Sequence, residues 1–195
     1  SFLEEVEVSA FSAGDEVCEC CNGHIAIAEN GDVYIAFRNN DNNQRDIWMA
    51  VSTDGGDSFE VAYDMDETDW TINSCPTNGP HFALTDNKMI NAFYSGAGDD
   101  GSGVYYSIFD SENDSVSATY SMPLTSIGAS NQNKPKVAAS GDTLAIVWEE
   151  SFDGSKEIAL SISTTGESEI GSDLFLLTDM DGTQQLPSIL FHDGK

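Results

Sequence analysis

The stretch "GHIAIAENGDVYIAF", residues 23–37, contains two short apolar runs on either side of the turn sequence "ENGD". It aligns without a gap with "GPHFALTDNKMINAF", residues 79–93, and with "KPKVAASGDTLAIVW", residues 134–148. A further copy begins at "LPSILFHDGK", residues 186–195. The period is about 55 residues, and self-similarity of this kind is typical of propellers and solenoids.

Each repeat carries the same series of strand signals. The first strand and turn are followed by a β-branched and aromatic second strand, a polar loop, a third strand such as residues 47–52, and a weaker fourth strand. No segment sustains the 3.6-residue period of a helix. Four antiparallel strands per repeat predict an all-β fold of β-propeller blades. A β-sandwich is the alternative, and the internal repeat favours the propeller.

The repeat frame predicts a single propeller segment over residues 1–195 with three complete blades. The predicted blades cover residues 23–65, 79–122 and 134–178, flanked by the fourth strand of a preceding blade at 1–11 and the first strand of a following blade at 186–195. Propellers typically close with four to eight blades, and unpaired strand edges invite association. We therefore expect either a longer chain or two copies that close one ring.

The segment "STDGGDSF", residues 52–59, follows the third strand of the first blade. It resembles the Asp-box, or bacterial neuraminidase repeat, in the pattern formed by Ser52, Asp54, Gly56, Ser58 and Phe59. The other two repeats have only degenerate copies. The resemblance implies a sialidase-like propeller, usually six-bladed. We expect the polar side chains to bond the turn's backbone and the aromatic ring to pack beneath the blade, so the segment is predicted to be structural.

The position of this turn predicts which face of the propeller carries the function. In a four-stranded meander alternate connections lie on opposite faces, so the Asp-box turn shares its face with the turn between the first two strands. The loops between second and third strands and the crossovers between blades lie on the other face. These are the long, varied segments of this chain, and loops on a rigid scaffold commonly carry function.

All the cysteines fall in the first two crossovers: Cys18, Cys20, Cys21 and Cys75. One interpretation is a disulfide from Cys20 or Cys21 to Cys75, which would join two blades and requires an oxidising compartment. A second is a soft metal ion, with His24 or His81 completing a set of thiolate ligands. A redox role is the third.

Acidic residues in the loops suggest a glycosidase, because such enzymes need a general acid and a nucleophile or base. The candidates are Glu149, Glu150, Asp46, Asp66 and Asp69. The alternative is that they are solvated loop residues. Sialidases bind the substrate carboxylate with three arginines, and this chain has only Arg38 and Arg45. The resemblance therefore implies an incomplete catalytic set within these residues.

A second group of residues suggests carbohydrate binding. Trp70 and Tyr94 offer rings on which a sugar can stack, and Asn131 and Asn133 offer amide hydrogen bonds beside the two arginines. Residues 41–46 and 179–183 resemble parts of calcium loops but lack the full EF-hand series. Calcium or a soft metal ion is thus the cofactor to consider.

The charge balance limits the classes of partner. With 7 Lys and Arg against 34 Asp and Glu, the net charge is −27, which disfavours nucleic acids and anionic membranes. No apolar run approaches the roughly 18 residues that span a bilayer. We expect an extracellular or periplasmic module that binds carbohydrate or a protein partner. A sialidase-like glycoside hydrolase and a metal-handling propeller are the alternatives.

Overall fold

The computed structural model describes residues 4–125, 129–167 and 170–192. Apart from a 3₁₀ turn at Ala13–Asp15, the regular structure of these residues is β-strand, in antiparallel sheets. The all-β prediction is therefore confirmed. Nothing among the described residues is a helix long and apolar enough to cross a bilayer.

The first sheet is a meander of four strands in chain order: β1 (His24–Ile27), β2 (Val33–Arg38), β3 (Ile47–Ser52) and β4 (Val61–Asp64). The turn between β1 and β2 is closed by the Ala28 amide donating to the Asp32 carbonyl at 2.9 Å. Gly31 adopts φ 94° in this turn, a conformation that glycine tolerates without strain.

The second sheet repeats this arrangement, but its fourth position is divided between two short strands. Its members are β5 (His81–Leu84), β6 (Lys88–Ser95), β7 (Gly103–Asp110), β8 (Ser115–Val116) and β9 (Tyr120–Ser121). Both β8 and β9 pair with β7.

The third sheet has longer strands than the sequence predicts: β10 (Ala129–Ser140), β11 (Thr143–Phe152), β12 (Ser155–Ser163) and β13 (Leu174–Leu176). A register shift between Asn133 and Lys136 lets β10 continue past Pro135, which cannot donate to the ladder. Residues 149–156, which the repeat frame places in the loop between the second and third strands, are strand except for a tight turn at Asp153 and Gly154, both with positive φ.

The core lies between successive sheets. Between the first and second sheets the buried side chains include Met49, Met65, Phe82 and Phe93. Between the second and third they include Ile90, Val104, Ile146 and Trp148. Full burial of one such side chain contributes about 1.5–3 kcal/mol, so each sheet is held mainly by its neighbour.

The two flanking strands predicted at 1–11 and 186–195 differ from the structure. Residues 4–11 and 186–192 have no strand, and the outermost parts of both flanks lie outside the described residues. A strand needs a neighbour to satisfy its backbone groups, and the described parts of the two flanks, residues 4–11 and 186–192, pair with none of the strands. The apolar side chains Ile25, Ile27, Leu186 and Leu190 are exposed near these open ends.

Candidate functional site

Arg38 is the last residue of β2, on the face that carries the loop between β2 and β3 and the crossovers between blades, which we call the loop face. Its side chain is 1% exposed. Its Nε donates to the Asn78 carbonyl at 2.9 Å, one Nη donates to the Arg45 carbonyl, and the other donates to the Tyr94 carbonyl at 2.5 Å. The guanidinium therefore links the β2–β3 loop, the crossover between the first two blades, and the end of β6. Arg38 is a buried connector and not an exposed ligand contact.

Trp70 covers this arginine. The Arg38 guanidinium carbon lies 5.1 Å from the centroid of the indole, and Tyr94 meets the indole edge-on at 5.4 Å. Trp70 is only 8% exposed, so it packs inside the site and does not offer the open stacking surface that the sequence suggests. A Cβ on Gly96 would lie 2.4 Å from the indole, so only glycine permits this close approach.

Asp46 and Asp69, two of the predicted acidic residues, are brought together by Gln44. The Gln44 amide nitrogen donates to Asp46 Oδ2 at 2.6 Å and to Asp69 Oδ1 at 2.8 Å, and we call these three residues the Gln44 bridge. Asp46 is buried and also accepts from the Trp70 amide at 3.0 Å, whereas Asp69 is exposed. Burial raises the pKa of Asp46, and its hydrogen bonds from Gln44 and Trp70 oppose that shift.

Asp66 lies close to Arg38 and is 1% exposed. Its Oδ1 accepts from the Thr68 amide at 3.0 Å and the Thr68 hydroxyl at 2.6 Å, while its Oδ2 has no protein partner. Burial raises the pKa of Asp66 to about 7, although the Thr68 hydrogen bonds and the Arg38 charge act to lower it. This carboxyl group therefore holds a proton over much of the range in which an ordinary aspartate is ionised.

Glu149 and Glu150 are successive residues of β11, so their side chains point to opposite sides of the sheet. Glu149 accepts from Lys156 Nζ at 2.7 Å and from the Leu186 amide at 2.9 Å. Glu150 accepts from the Trp148 indole at 3.1 Å and from Thr125. Both are buried, and they cannot act together on one substrate. Their predicted place in a loop is wrong because β11 extends through them.

Asn131 and Asn133 lie on β10 and not on a crossover. The Asn133 side-chain oxygen accepts from the Asn78 amide group and from the Lys134 backbone amide. The Asn131 side-chain oxygen is buried without a protein partner. Asn133 thus joins the second and third blades.

The cysteines lie beside the same face. Cys20 and Cys75 form a disulfide with Cα atoms 6.2 Å apart, which links the crossovers before β1 and β5 and selects one of the two predicted pairings. Cys18 and Cys21 are free thiols, with their Sγ atoms 2.6 Å apart. Burial raises the pKa of Cys21 to about 11.

His24 and His81 stack on each other with ring centroids 3.9 Å apart. His24 Nδ1 accepts from the Phe82 amide and His81 Nδ1 accepts from the Val137 amide, so each ring ties an innermost strand to the next. Burial lowers the pKa of both, that of His81 to about 3. Among the described residues the sulfur cluster gathers no histidine, so the predicted mixed Cys–His ligand set is not formed.

The candidate calcium loops do not converge either. In the first loop Asp41 accepts from Asn42, and Asp46 belongs to the Gln44 bridge. Within the part of the chain that the structure describes, neither residues 41–46 nor residues 179–183 contribute to a group of three potential metal ligands.

The Asp-box turn is self-contained. Asp54 accepts from the Ser52 hydroxyl at 2.6 Å, from the Ser58 amide at 2.9 Å and from the Ser58 hydroxyl at 2.7 Å. The Gly56 amide donates to Ser52 Oγ at 2.8 Å, with φ 100° at this glycine. Phe59 is buried in the cluster that includes residues 33, 37 and 50. This geometry leaves no open cradle for a ligand.

The Asp-box face nevertheless carries cavities. One of about 720 Å³ lies among the β1–β2, β5–β6 and β10–β11 turns, with Asn30, Asn87 and Asp142 in its wall. Another of about 430 Å³ is lined by Tyr63 and Asp114 among others. The Asp-box face is therefore an alternative location for a ligand site, besides the loop face.

Comparison with known proteins identifies similar structures for this chain but no related sequence. No protein-family model and no curated protein matches this chain. Its structure is similar to that of the GH93 α-L-arabinofuranosidase of Fusarium graminearum in complex with arabinobiose, with TM-score 0.59 and 12% identity over 88% of this chain and 54% of that one.

Two other similar structures are those of glycoside hydrolases from bacteria. Zg3597, a family 117 enzyme from Zobellia galactanivorans, gives TM-score 0.48 and 14% identity over 73% of this chain and 51% of that one. The arabinanase Arb43A of Bacillus subtilis gives 0.44 and 18% over 74% and 52%. Both TM-scores lie below 0.5, and neither supports an inference about this chain.

These neighbours are β-propeller enzymes, and the likeness to the GH93 enzyme places the three sheets of this chain in that fold. The chain spans about half the length of each of them. An Asp-box family is not identified by these likenesses.

Proposed function

We propose that this chain is a segment of an extracellular or periplasmic β-propeller that binds carbohydrate on the loop face. The observation that carries the proposal is the Gln44 bridge, in which the Gln44 amide is fixed between Asp46 and the exposed Asp69 carboxylate, with the backbone of the buried Trp70 donating to Asp46. Sugar hydroxyls are recognised by fixed carboxylate and amide groups of this kind.

The fold likeness supports a carbohydrate ligand but does not supply the site. The GH93 neighbour is an α-L-arabinofuranosidase bound to arabinobiose. Because one fold hosts many functions, the argument for this chain has to come from its own residues. The Cys20–Cys75 disulfide supports an oxidising compartment, in agreement with an extracellular or periplasmic protein.

A glycoside hydrolase is the second candidate, since the Gln44 bridge holds two carboxylates within reach of one amide. A general acid needs a raised pKa, and burial raises the pKa of Asp46. Asp46 is 1% exposed, however, and both of its oxygens accept hydrogen bonds. Binding is therefore the better supported function for these residues.

The test is binding of the full chain to an array of polysaccharides and oligosaccharides that includes arabinan. Asp69→Asn should weaken binding about tenfold, which corresponds to about 1.4 kcal/mol. Glu29→Gln is the matched control, because Glu29 is an exposed carboxylate beside the 720 Å³ cavity on the Asp-box face. Loss of binding in Glu29→Gln but not in Asp69→Asn would contradict the proposed face. Release of reducing sugar by the wild type would favour the hydrolase.

We also propose that further blades or a second copy complete the ring, six blades in all by the resemblance to sialidase-like propellers. The open strand edges and the exposed apolar side chains near them support this, because unpaired edges favour association. The molar mass in solution, measured by light scattering, checks self-association. A stable monomer of this segment would contradict it.

A further inference from the structure

We propose that Cys18 and Cys21 are the site of a second disulfide, which closes the turn that carries Cys20. The two bridges would then cross-link one crossover twice: locally within the sequence C-E-C-C, and to the next blade through Cys75. Nothing in the function proposed above requires this second bridge.

The local backbone already brings the two thiols together. The Cys21 amide donates to the Cys18 carbonyl at 3.0 Å, which closes a tight turn. The two Sγ atoms are 2.6 Å apart. This distance is too short for non-bonded sulfurs and only slightly longer than the roughly 2.05 Å of a disulfide bond. Cys20, between them in sequence, has its Sγ 3.6 Å from that of Cys18 and is already bonded to Cys75.

The chemistry of the cluster favours a disulfide over a metal ion. Three sulfurs lie within 4.8 Å of one another, but Cys20 is already bonded to Cys75 and cannot act as a thiolate. Two thiolates remain, and no histidine or carboxylate among the described residues completes the set. Structural zinc requires four protein ligands, so this pair falls short.

The reaction needs a two-electron oxidant, for which we take a small-molecule disulfide such as oxidised glutathione. The thiolate of one cysteine attacks this disulfide, forms a mixed disulfide and releases one thiol. The second cysteine then displaces the other half, so that two protein thiols become one disulfide and one glutathione disulfide becomes two thiols.

The surroundings of the pair do not stabilise its reduced form as a thiolate. A disulfide is a strong oxidant when a thiolate of its reduced form is stabilised. Here burial raises the pKa of Cys21, so that stabilisation is absent, and the contact between the two sulfurs carries the proposal.

The second bridge would brace Arg38 on the loop face. The Cys18 amide donates to the Arg38 carbonyl at 2.7 Å, and Val17 forms a β-bridge with Asn39. A closed 18–21 turn fixes this short segment against the end of β2. The second disulfide would therefore hold the crossover against β2, the strand that ends at Arg38.

The experiment counts thiols in the full chain. The folded protein is equilibrated with oxidised glutathione, quenched in acid, denatured without reductant, alkylated, and measured by intact mass and peptide mapping. We expect no alkylated cysteine and a peptide in which Cys18 is bonded to Cys21. Two alkylated cysteines, or stable glutathione adducts, would overturn the proposal.

The variant Cys18→Ser supplies the matched control. It should leave Cys21 alkylated while the Cys20–Cys75 bridge stays intact, because the two bridges do not share a cysteine. Protection of Cys21 in this variant would mean a different pairing and would contradict the proposal. The wild type is also alkylated with and without a chelator: thiols that are protected only until a chelator is added would assign the pair to a metal ion instead.

Discussion

Asp54 and Asp66 both follow strands of the first blade, yet they lie in opposite environments. Asp54 is exposed and surrounded by donors from Ser52 and Ser58, which hold its pKa below the ordinary range. Asp66 is buried beside Arg38 with one oxygen unpartnered, and burial raises its pKa to about 7. The same type of side chain thus closes a turn on one face and holds a proton on the other. The difference follows from burial, which raises the pKa of Asp66, whereas Asp54 is exposed.

The two carboxyl groups contribute to stability with opposite dependence on pH. Because the pKa of Asp66 is higher folded than unfolded, the folded state is favoured at low pH, and this contribution is lost as the pH rises from about 4 to 7. The lowered pKa of Asp54 has the reverse effect: its contribution is present above its unfolded pKa and is lost as the pH falls through its folded pKa.

Removing the cation beside Asp66 should have the largest effect. Arg38→Ala leaves the Asn78, Arg45 and Tyr94 carbonyls without their buried donor and removes the charge that opposes the raised pKa of Asp66. We expect the free energy of unfolding, measured in urea, to fall by about 3–5 kcal/mol.

Arg45→Ala is the control for this change. Its carbonyl still accepts from Arg38, and its side chain is only half-buried, so the loss should stay within about 1 kcal/mol. Equal losses in the two variants would mean that the guanidinium of Arg38 is not the connector described above.

Neutralising Asp66 should have a smaller effect that depends on pH. Asp66→Asn keeps the oxygen that accepts from Thr68 and removes the cost of a buried charge. We expect a gain of about 2 kcal/mol in the free energy of unfolding at pH 8, which disappears toward pH 4. Urea titrations at both pH values measure it. A gain that is the same at pH 4 and pH 8 would show that Asp66 does not titrate in this range.

Neutralising Asp54 should have the smallest effect, with the opposite sign. Asp54→Asn loses the charge-assisted bonds to Ser58, so the turn should be weakened near pH 7 and weakened less at pH 2, because the contribution of the carboxylate declines once the pH falls below its unfolded pKa. The difference between the melting temperatures of variant and wild type at the two pH values checks this. A loss at pH 7 larger than that of Arg38→Ala would reverse the order argued here.

The repeating pattern was sufficient to predict the fold class, because alternation and turn residues act locally. The turn at "ENGD" and the apolar second strands needed no knowledge of distant contacts. The extent of β10 and β11 could not be predicted in the same way. Asn131 and Glu150 are polar and look like loop residues, and nothing local predicts that Trp148 and Thr125 hydrogen-bond to Glu150 within a strand.

The site was predicted as a list of residues and not as an arrangement. Asp46 and Asp69 were recognised as acidic loop residues, but Gln44 was not, because nothing local marks a glutamine that reaches another loop. The burial of Trp70 could not be predicted for the same reason, because its partners Arg38 and Tyr94 are distant in the sequence. The cysteines narrowed the disulfide to two pairings, and the choice of Cys20 depends on the direction of its side chain.

The close approach of Gly96 to Trp70 has a consequence for related sequences. An indole at position 70 excludes every side chain at position 96, so the two positions are not free to change independently. We expect homologues that retain the tryptophan to retain the glycine, and those that lose it to accept alanine or serine there. Such co-variation would recognise relatives of this loop face where overall identity is too low to find them.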